Sequence, residues 1–129
     1  MKRPQVLILA ENNFHRRLMS DVVCCNEMRA VSSDRFEWVD RVENGAFKAD
    51  VVVIDCGMGA KEVANAVTRL QALPESIRPS VIGWARENDN NHGAPTPALE
   101  SQIEFPLDVG CFARLVKEHA QARILAESL

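Results

Sequence analysis

The stretch Ala49-Asp50-Val51-Val52-Val53-Ile54-Asp55-Cys56-Gly57-Met58-Gly59 decides how this chain folds. Val51 to Ile54 form an unbroken β-branched run that ends in turn residues. Such a run reads as a strand buried on both faces, the pattern of a parallel sheet covered by helices. Asp55 closes the run and two glycines follow it. In an open α/β sheet, ligands bind just outside the carboxyl ends of the strands. Asp55 therefore stands where chemistry would be found.

Working outward, Gln5 to Ala10 is a second apolar run and reads as the first strand. Glu11-Asn12-Asn13 after it suits a loop and a helix cap. The next helix carries Phe14, Leu18 and Val22 at fourfold spacing as its apolar stripe, with Arg16, Arg17 and Asp21 on the other side. Met28 to Val31 is a short second strand. Asp34 then caps a helix with Phe36, Val39 and Val42 on one face, and Asn44-Gly45 ends it. Beyond the central strand, a helix over 60–73 turns Val63, Val67 and Leu70 inward, and Pro74 stops it.

Pro79 to Trp84 is the fourth strand. Glu87 to Pro97 is polar, with a glycine and two prolines, and reads as a loop followed by a turn or two of helix over 97–101. Gln102 to Phe105 is the last strand. The final helix, about Val109 to Glu127, carries Phe112, Leu115, Val116 and His119 on one side. Strands alternating with helices give an α/β fold with a parallel sheet and helices on both faces, because a crossover helix is the usual return path to a parallel strand. The flavodoxin-like five-stranded order 2-1-3-4-5 fits this length. It sets the ends of strands one and three side by side, so that Glu11 and Asp55 share a cleft.

The chain has 129 residues, which suits a single domain over 1–129. A formal net charge of -3 and a pI near 5.6 argue against a bulk basic face for nucleic acid. No apolar run approaches a membrane span. Met1-Lys2-Arg3-Pro4 is followed by too short an apolar stretch for a signal peptide. The cytoplasm is the expected location. The four cysteines, Cys24, Cys25, Cys56 and Cys111, show no CxxC spacing, so neither zinc nor a redox pair is suggested. Small buried hydrophobes are the expected role for all of them.

At this point the residues resemble a family. Asp55-Cys56-Gly57-Met58 resembles the phosphoacceptor aspartate and Asp-x-x-Met-Pro turn of receiver (CheY-like) domains from bacterial two-component response regulators, with Gly59 in the proline's place. Pro79-Ser80-Val81-Ile82 with Ala85 resembles that family's fourth strand and its Thr/Ser-Ala end. Phe105-Pro106-Leu107-Asp108 resembles its Lys-Pro-Phe-Asp motif. The order and spacing of these motifs cover essentially the whole chain.

The departures point to a degenerate type, a pseudo-receiver. Where the family has two adjacent acidic residues after strand one, this chain has Ala10-Glu11. The phosphoryl-contacting Thr/Ser falls on Trp84, the pairing lysine on Phe105, and the aromatic switch on Gln102; the chain has no tyrosine. The resemblance makes Asp55 a residual phosphoacceptor and makes Glu11, Asp55 and the Gly57 carbonyl a weak or absent Mg2+ site. No other cofactor and no catalytic residue are implied.

The physical consequences are direct. Phosphoryl transfer to a carboxylate depends on positioning and on stabilising charge on the phosphoryl oxygens. Ala10 removes a negative charge from the metal site, and Mg2+ wants several oxygen ligands. Phe105 supplies no cation. Trp84 sets a bulky ring where a small hydroxyl would fit, though its indole N–H can donate a hydrogen bond. For Asp55 two roles stay open: a carboxylate bonded to loop N–H groups, or a residual phosphate or metal ligand.

Other candidates are weaker. In Asn88 to Glu100, an EF-hand reading anchored on Gly93 gives Asn88, Asn90 and His92 at the first, third and fifth positions. Leu99 stands where the twelfth should be Glu, so the motif fails. His15, His92 and His119 make no metal spacing. Cys56 as a nucleophile has no expected histidine neighbour, and a packed thiol is the better reading. The final helix runs past what covers a sheet of this size, which sets Ile124, Leu125 and Leu129 beyond it. That stretch, with the shortened helix four that Pro95 and Pro97 imply, suggests a contact surface for a partner or a second copy.

The preferred function is a signalling domain working through protein contacts with little or no phosphorylation. Its partners would be proteins of a signalling pathway, a histidine kinase or a fused output domain among them, and a homodimer is also implied. Direct nucleic acid and membrane are not expected. One alternative is a working receiver phosphorylated on Asp55 with Mg2+. Another is the N-terminal regulatory domain of a larger transcription regulator. Receiver-like domains with an apolar residue before the strand-five proline sit ahead of ATPase and DNA-binding domains in flagellar-type regulators. That reading needs further chain beyond Leu129.

Overall fold

The computed structural model describes the backbone of residues 3–86, 101–105 and 109–127, and the side chains of 3–84 and 112–125. The elements are β1 (Gln5–Leu9), α1 (Asn13–Cys25), β2 (Arg29–Ser33), α2 (Glu37–Glu43), β3 (Val51–Asp55), α3 (Ala60–Gln71), β4 (Ser80–Arg86), β5 (Ser101–Phe105) and α4 (Val109–Glu127). The strands form one five-stranded sheet in the order β2-β1-β3-β4-β5, all parallel. This is the expected flavodoxin-like, CheY-like fold. The shortened helix four and the loop of Asn88 to Glu100 lie outside the described residues.

β3 is central because every one of its residues is buried. Its alternation divides the core in two. Val51 and Val53 join Val6, Ile8, Ala10, Ile82 and Trp84 on the face covered by α1 and α4. Val52 and Ile54 join Leu7, Leu9 and Val81 on the face covered by α2 and α3. The side-chain period of two along a strand assigns alternate residues to opposite faces. Asp55 therefore follows Val51 and Val53 toward the α1/α4 side, at the sheet's carboxyl edge.

α3 turns Val63, Val67 and Leu70 inward as expected. A clip joins it to α2, in which Arg69 pairs with Glu43 and Asp40. Glu43 first, then Asp40, hold the guanidinium above its usual pKa. Gly45 ends α2 with φ +81, a left-handed conformation that costs glycine nothing sterically. Asp34 does not cap this helix: the cap position is Phe36, with no side-chain cap bond, and the nearby Ser33 hydroxyl accepts from the Arg35 N–H at 3.1 Å. The helix starts later than the sequence suggests, so Asp34 is too far upstream to reach its first free N–H groups.

Two further expectations hold only in part. α1 buries Met19, Val22 and Val23, while Phe14 is 70% exposed. The inward stripe is rotated from the 14-18-22 line, because Met19 and Val23 complete an i, i+3, i+4 face that leaves the first turn beyond the sheet. Cys24 and Cys25 are exposed free thiols at the end of this helix, not core hydrophobes; Cys56 is half-buried. The α1 face that packs on the sheet ends with Val23.

α4 buries Phe112, Val116 and Ala120, with Leu115 and His119 half-buried. At its far end Leu125 is 66% exposed. The Arg123 side chain donates to the Glu75 carbonyl at 2.6 Å, tying α4 to the segment before β4. Leu129 lies outside the described residues. No described helix is long and apolar enough to cross a membrane.

Candidate functional site

The carboxyl edge of the sheet gathers Ala10, Asp55 and Trp84. Register makes this a matter of backbone: Leu9 pairs with Ile54, and Asp55 pairs directly with Trp84. Paired residues on neighbouring strands project to the same side of a sheet. Ala10 and Trp84 are both in the α1/α4 core, 0% and 1% exposed.

Asp55 is buried, at 4% exposure. Its Oδ1 accepts a hydrogen bond from the Gly57 N–H at 2.8 Å, and its carbonyl accepts from the Met58 N–H at 3.2 Å. These two bonds wrap the chain into a turn closed by the carboxylate's own loop. The next amide, Cys56 N–H, donates to the Trp84 carbonyl at 2.8 Å and extends the β3–β4 ladder past the strand end. Among the described residues, Oδ2 takes no hydrogen bond. Gly59 follows with φ +115. Proline is locked near −65°, so the family's proline could not occupy this conformation. A Cβ here would also meet Glu62 Oε2, so that side chain would have to move aside.

Trp84 is among the largest fully buried side chains of the protein. Its ring meets the His15 ring edge-to-face, centroids 4.6 Å apart at 75°. Phe14 adjoins His15 in turn at 5.9 Å. A histidine does reach the surroundings of Asp55, then, through its contact with Trp84. The helical face and the strand pairing had to be combined to see it.

The loop from β1 to α1 is held from several sides. Asn12 caps α1, its Oδ1 accepting from the His15 N–H at 3.0 Å. Arg16 folds back, and its Nη1 donates to the carbonyls of Ala10 at 2.8 Å and Glu11 at 2.9 Å. Arg16 Nη2 donates to Asn13 Oδ1 at 3.1 Å. The sequence pattern placed Arg16 on the outer side of the helix, where a solvated charge is the ordinary expectation. Nothing in its spacing signals that the side chain returns to the end of β1.

Glu11 is exposed, whereas Asp55 is buried. Among the described residues, no group of three or more His, Cys, Asp or Glu side chains could hold a metal ion. The expected set of Glu11, Asp55 and the Gly57 carbonyl has fewer carboxylates than such a group. Phe105 and Gln102 are described as strand positions only, paired with Arg86 and Gly83.

No protein-family model matches the sequence, and no curated protein matches it either. The fold is nevertheless similar to many solved structures. One is a response regulator receiver protein from Burkholderia phymatum, 16% identical with a TM-score of 0.77, covering 92% of this chain and 96% of that one. Another is a CheY-like response regulator receiver domain from Methylobacillus flagellatus, 15% identical with a TM-score of 0.75, covering 92% and 99%. A third is NtrX from Brucella abortus, 12% identical with a TM-score of 0.75; the match covers 98% of this chain but 28% of that longer one. Identities this low speak for the fold, and the residues at the sheet edge must speak for function.

Proposed function

We propose that this chain is an atypical receiver domain that works in bacterial signal transduction through protein contacts, with little or no phosphorylation. The fold supports the signalling setting, since the similar structures include response regulator receivers. The observation that carries the atypical part is Trp84. A phosphoryl group on Asp55 would need small, polar, cationic company to offset its charge. Asp55 instead pairs with a tryptophan that is 1% exposed and packed against His15. The buried methyl of Ala10 adds no charge on the β1 side.

The test is incubation with Mg2+ and either acetyl phosphate or beryllofluoride, followed by intact-mass spectrometry and NMR. The expected result is no stoichiometric adduct. A phosphoryl adduct that disappears in Asp55→Ala would overturn the proposal. It would establish the second reading, a working receiver phosphorylated on Asp55. That reading draws support from the position of Asp55 at the carboxyl edge, with one carboxylate oxygen taking no hydrogen bond among the described residues. A regulatory domain of a larger regulator is a third reading, supported by the NtrX likeness, in which the matched fold is a minor part of a longer chain.

A further inference from the structure

We infer that the exposed face of α1 is a self-association surface whose occupant is a second copy of this chain, packed antiparallel across a two-fold axis. The inference deepens the proposed function by naming one partner for its protein contacts. It rests on that reading only for the signalling role of the contact.

α1 packs on the sheet through Met19, Val22 and Val23. Its exposed residues are Asn13, Phe14, Arg17, Asp21, Cys24 and Cys25. Phe14, Arg17, Asp21 and Cys24 follow one another at steps of three, four and three. That is the spacing at which one helix lays a seam against another. The seam is not an ordinary solvated face: Phe14 is 70% exposed, and Cys24 and Cys25 are exposed free thiols. Arg17 and Asp21 stand about one turn apart, yet among the described residues neither forms an ion pair.

The order of these residues selects the partner. A two-fold interface joins the same patch of both copies, so that where residue i meets j, j also meets i. An antiparallel pair of α1 helices crossing midway between Arg17 and Asp21 meets that rule with opposite charges. Arg17 faces Asp21 of the second copy, and Asp21 faces its Arg17. Phe14 and Cys24 each stand five residues from the crossing point. The ring of one copy therefore meets the thiol of the other, a favourable sulfur–aromatic contact. Asn13 and Cys25 match in the same way at the two ends. A parallel pair would instead set Arg17 on Arg17 and Asp21 on Asp21, and like charges would oppose it. The seam from Phe14 to Cys24 is about 15 Å long, which suits a small, reversible contact.

The same face reaches the candidate site. The Phe14 ring lies 5.9 Å from that of His15, and His15 lies 4.6 Å from Trp84. Covering Phe14 thus adds contacts one ring away from the residue that pairs with Asp55.

The test is sedimentation equilibrium of the full chain over a range of concentrations. The wild type is expected to show a concentration-dependent monomer–dimer equilibrium. Arg17→Asp puts two like-charge pairs in place of two attractive ones and is expected to weaken dimerisation by about tenfold or more. The charge-exchanged double variant, Arg17→Asp with Asp21→Arg, is expected to regain the wild-type dissociation constant. A wild type that stays monomeric throughout would overturn the inference, and that measurement needs no variant to fold. So would a dimer that Arg17→Asp leaves intact, because its contact must then lie on another face. A double variant as weak as Arg17→Asp alone would overturn it too. The two failures stay distinct: an Asp55 adduct defeats the proposed function and leaves the dimer untouched, whereas a monomeric chain defeats only this inference.

Discussion

Two aspartates mark the ends of β3, and they are buried to nearly the same degree, Asp50 at 7% and Asp55 at 4% exposure. Their surroundings differ. Asp50 Oδ2 accepts the Gln5 N–H at 2.9 Å, its own N–H donates to the Gln5 carbonyl at 2.8 Å, and its carbonyl accepts the Ser80 N–H at 3.1 Å. One residue thus stitches the starts of β1, β3 and β4 together. Among the described residues, the carboxylate of Asp55 bonds only within its own turn. At that end the Cys56 N–H bond to the Trp84 carbonyl continues the β3–β4 ladder, and the buried ring of Trp84 packs against His15. The lesson is that burial alone does not assign a carboxylate a role. Asp50 is committed to the fold by its partners, whereas the Asp55 carboxylate, among the described residues, joins no strands.

This comparison can be broken at four places. Trp84→Ala should have the largest effect, a loss of about 3–5 kcal/mol in denaturant unfolding, because it empties a fully buried aromatic site. A small loss would mean that the Asp55 end is held by something other than the ring. Asp50→Ala should cost about 1–3 kcal/mol by stranding the part-buried Gln5 N–H, with Asp50→Asn costing less because an acceptor remains. Asp55→Ala should cost about 0.5–1 kcal/mol, since one short-range bond is lost and Gly57 is exposed to water. If Asp55→Ala proves as damaging as Asp50→Ala in the same urea titration, the contrast between the two ends disappears. Phe14→Ser, at the exposed start of α1, should change stability by no more than about 0.5 kcal/mol.

Much of this was legible from residue order. The run from Val51 to Ile54 marked the central strand because a short β-branched run closed by turn residues suits a strand buried on both faces. Val63, Val67 and Leu70 marked the inner face of α3 by their spacing. Gly45 marked the end of α2 because the left-handed turn there favours its missing side chain. The failures share a cause. Phe14 fits a helical stripe as well as Met19 does, and only the placement of α1 on the sheet decides which of them is covered. Cys24 and Cys25 have the composition of core residues, yet they follow Val23, the last buried residue of α1, and are exposed. Asp34 has the right chemistry for a cap but the helix begins after Phe36.

The candidate site divides in the same way. Asp55 was legible because a carboxylate after a buried strand falls at the sheet's carboxyl edge whatever the details. Ala10 and Trp84 were legible by their offsets from β1 and β4. Asp50 was passed over, because its partner Gln5 is 45 residues away and no local pattern announces a bond of that range. The return of Arg16 to the end of β1 and the contact of His15 with Trp84 depend on side-chain direction after packing.

By itself, then, the sequence determined the alternation of strands and helices, the central place of β3 and the position of Asp55 at its end. These rest on hydrophobic periodicity and turn chemistry, which act over a few residues. Only the tertiary structure decided which carboxylate joins strands, which arginine holds the edge and which aromatic ring is buried beside Asp55. Those outcomes depend on strand register and on which helix face meets the sheet, and both are settled by contacts between residues far apart in the chain.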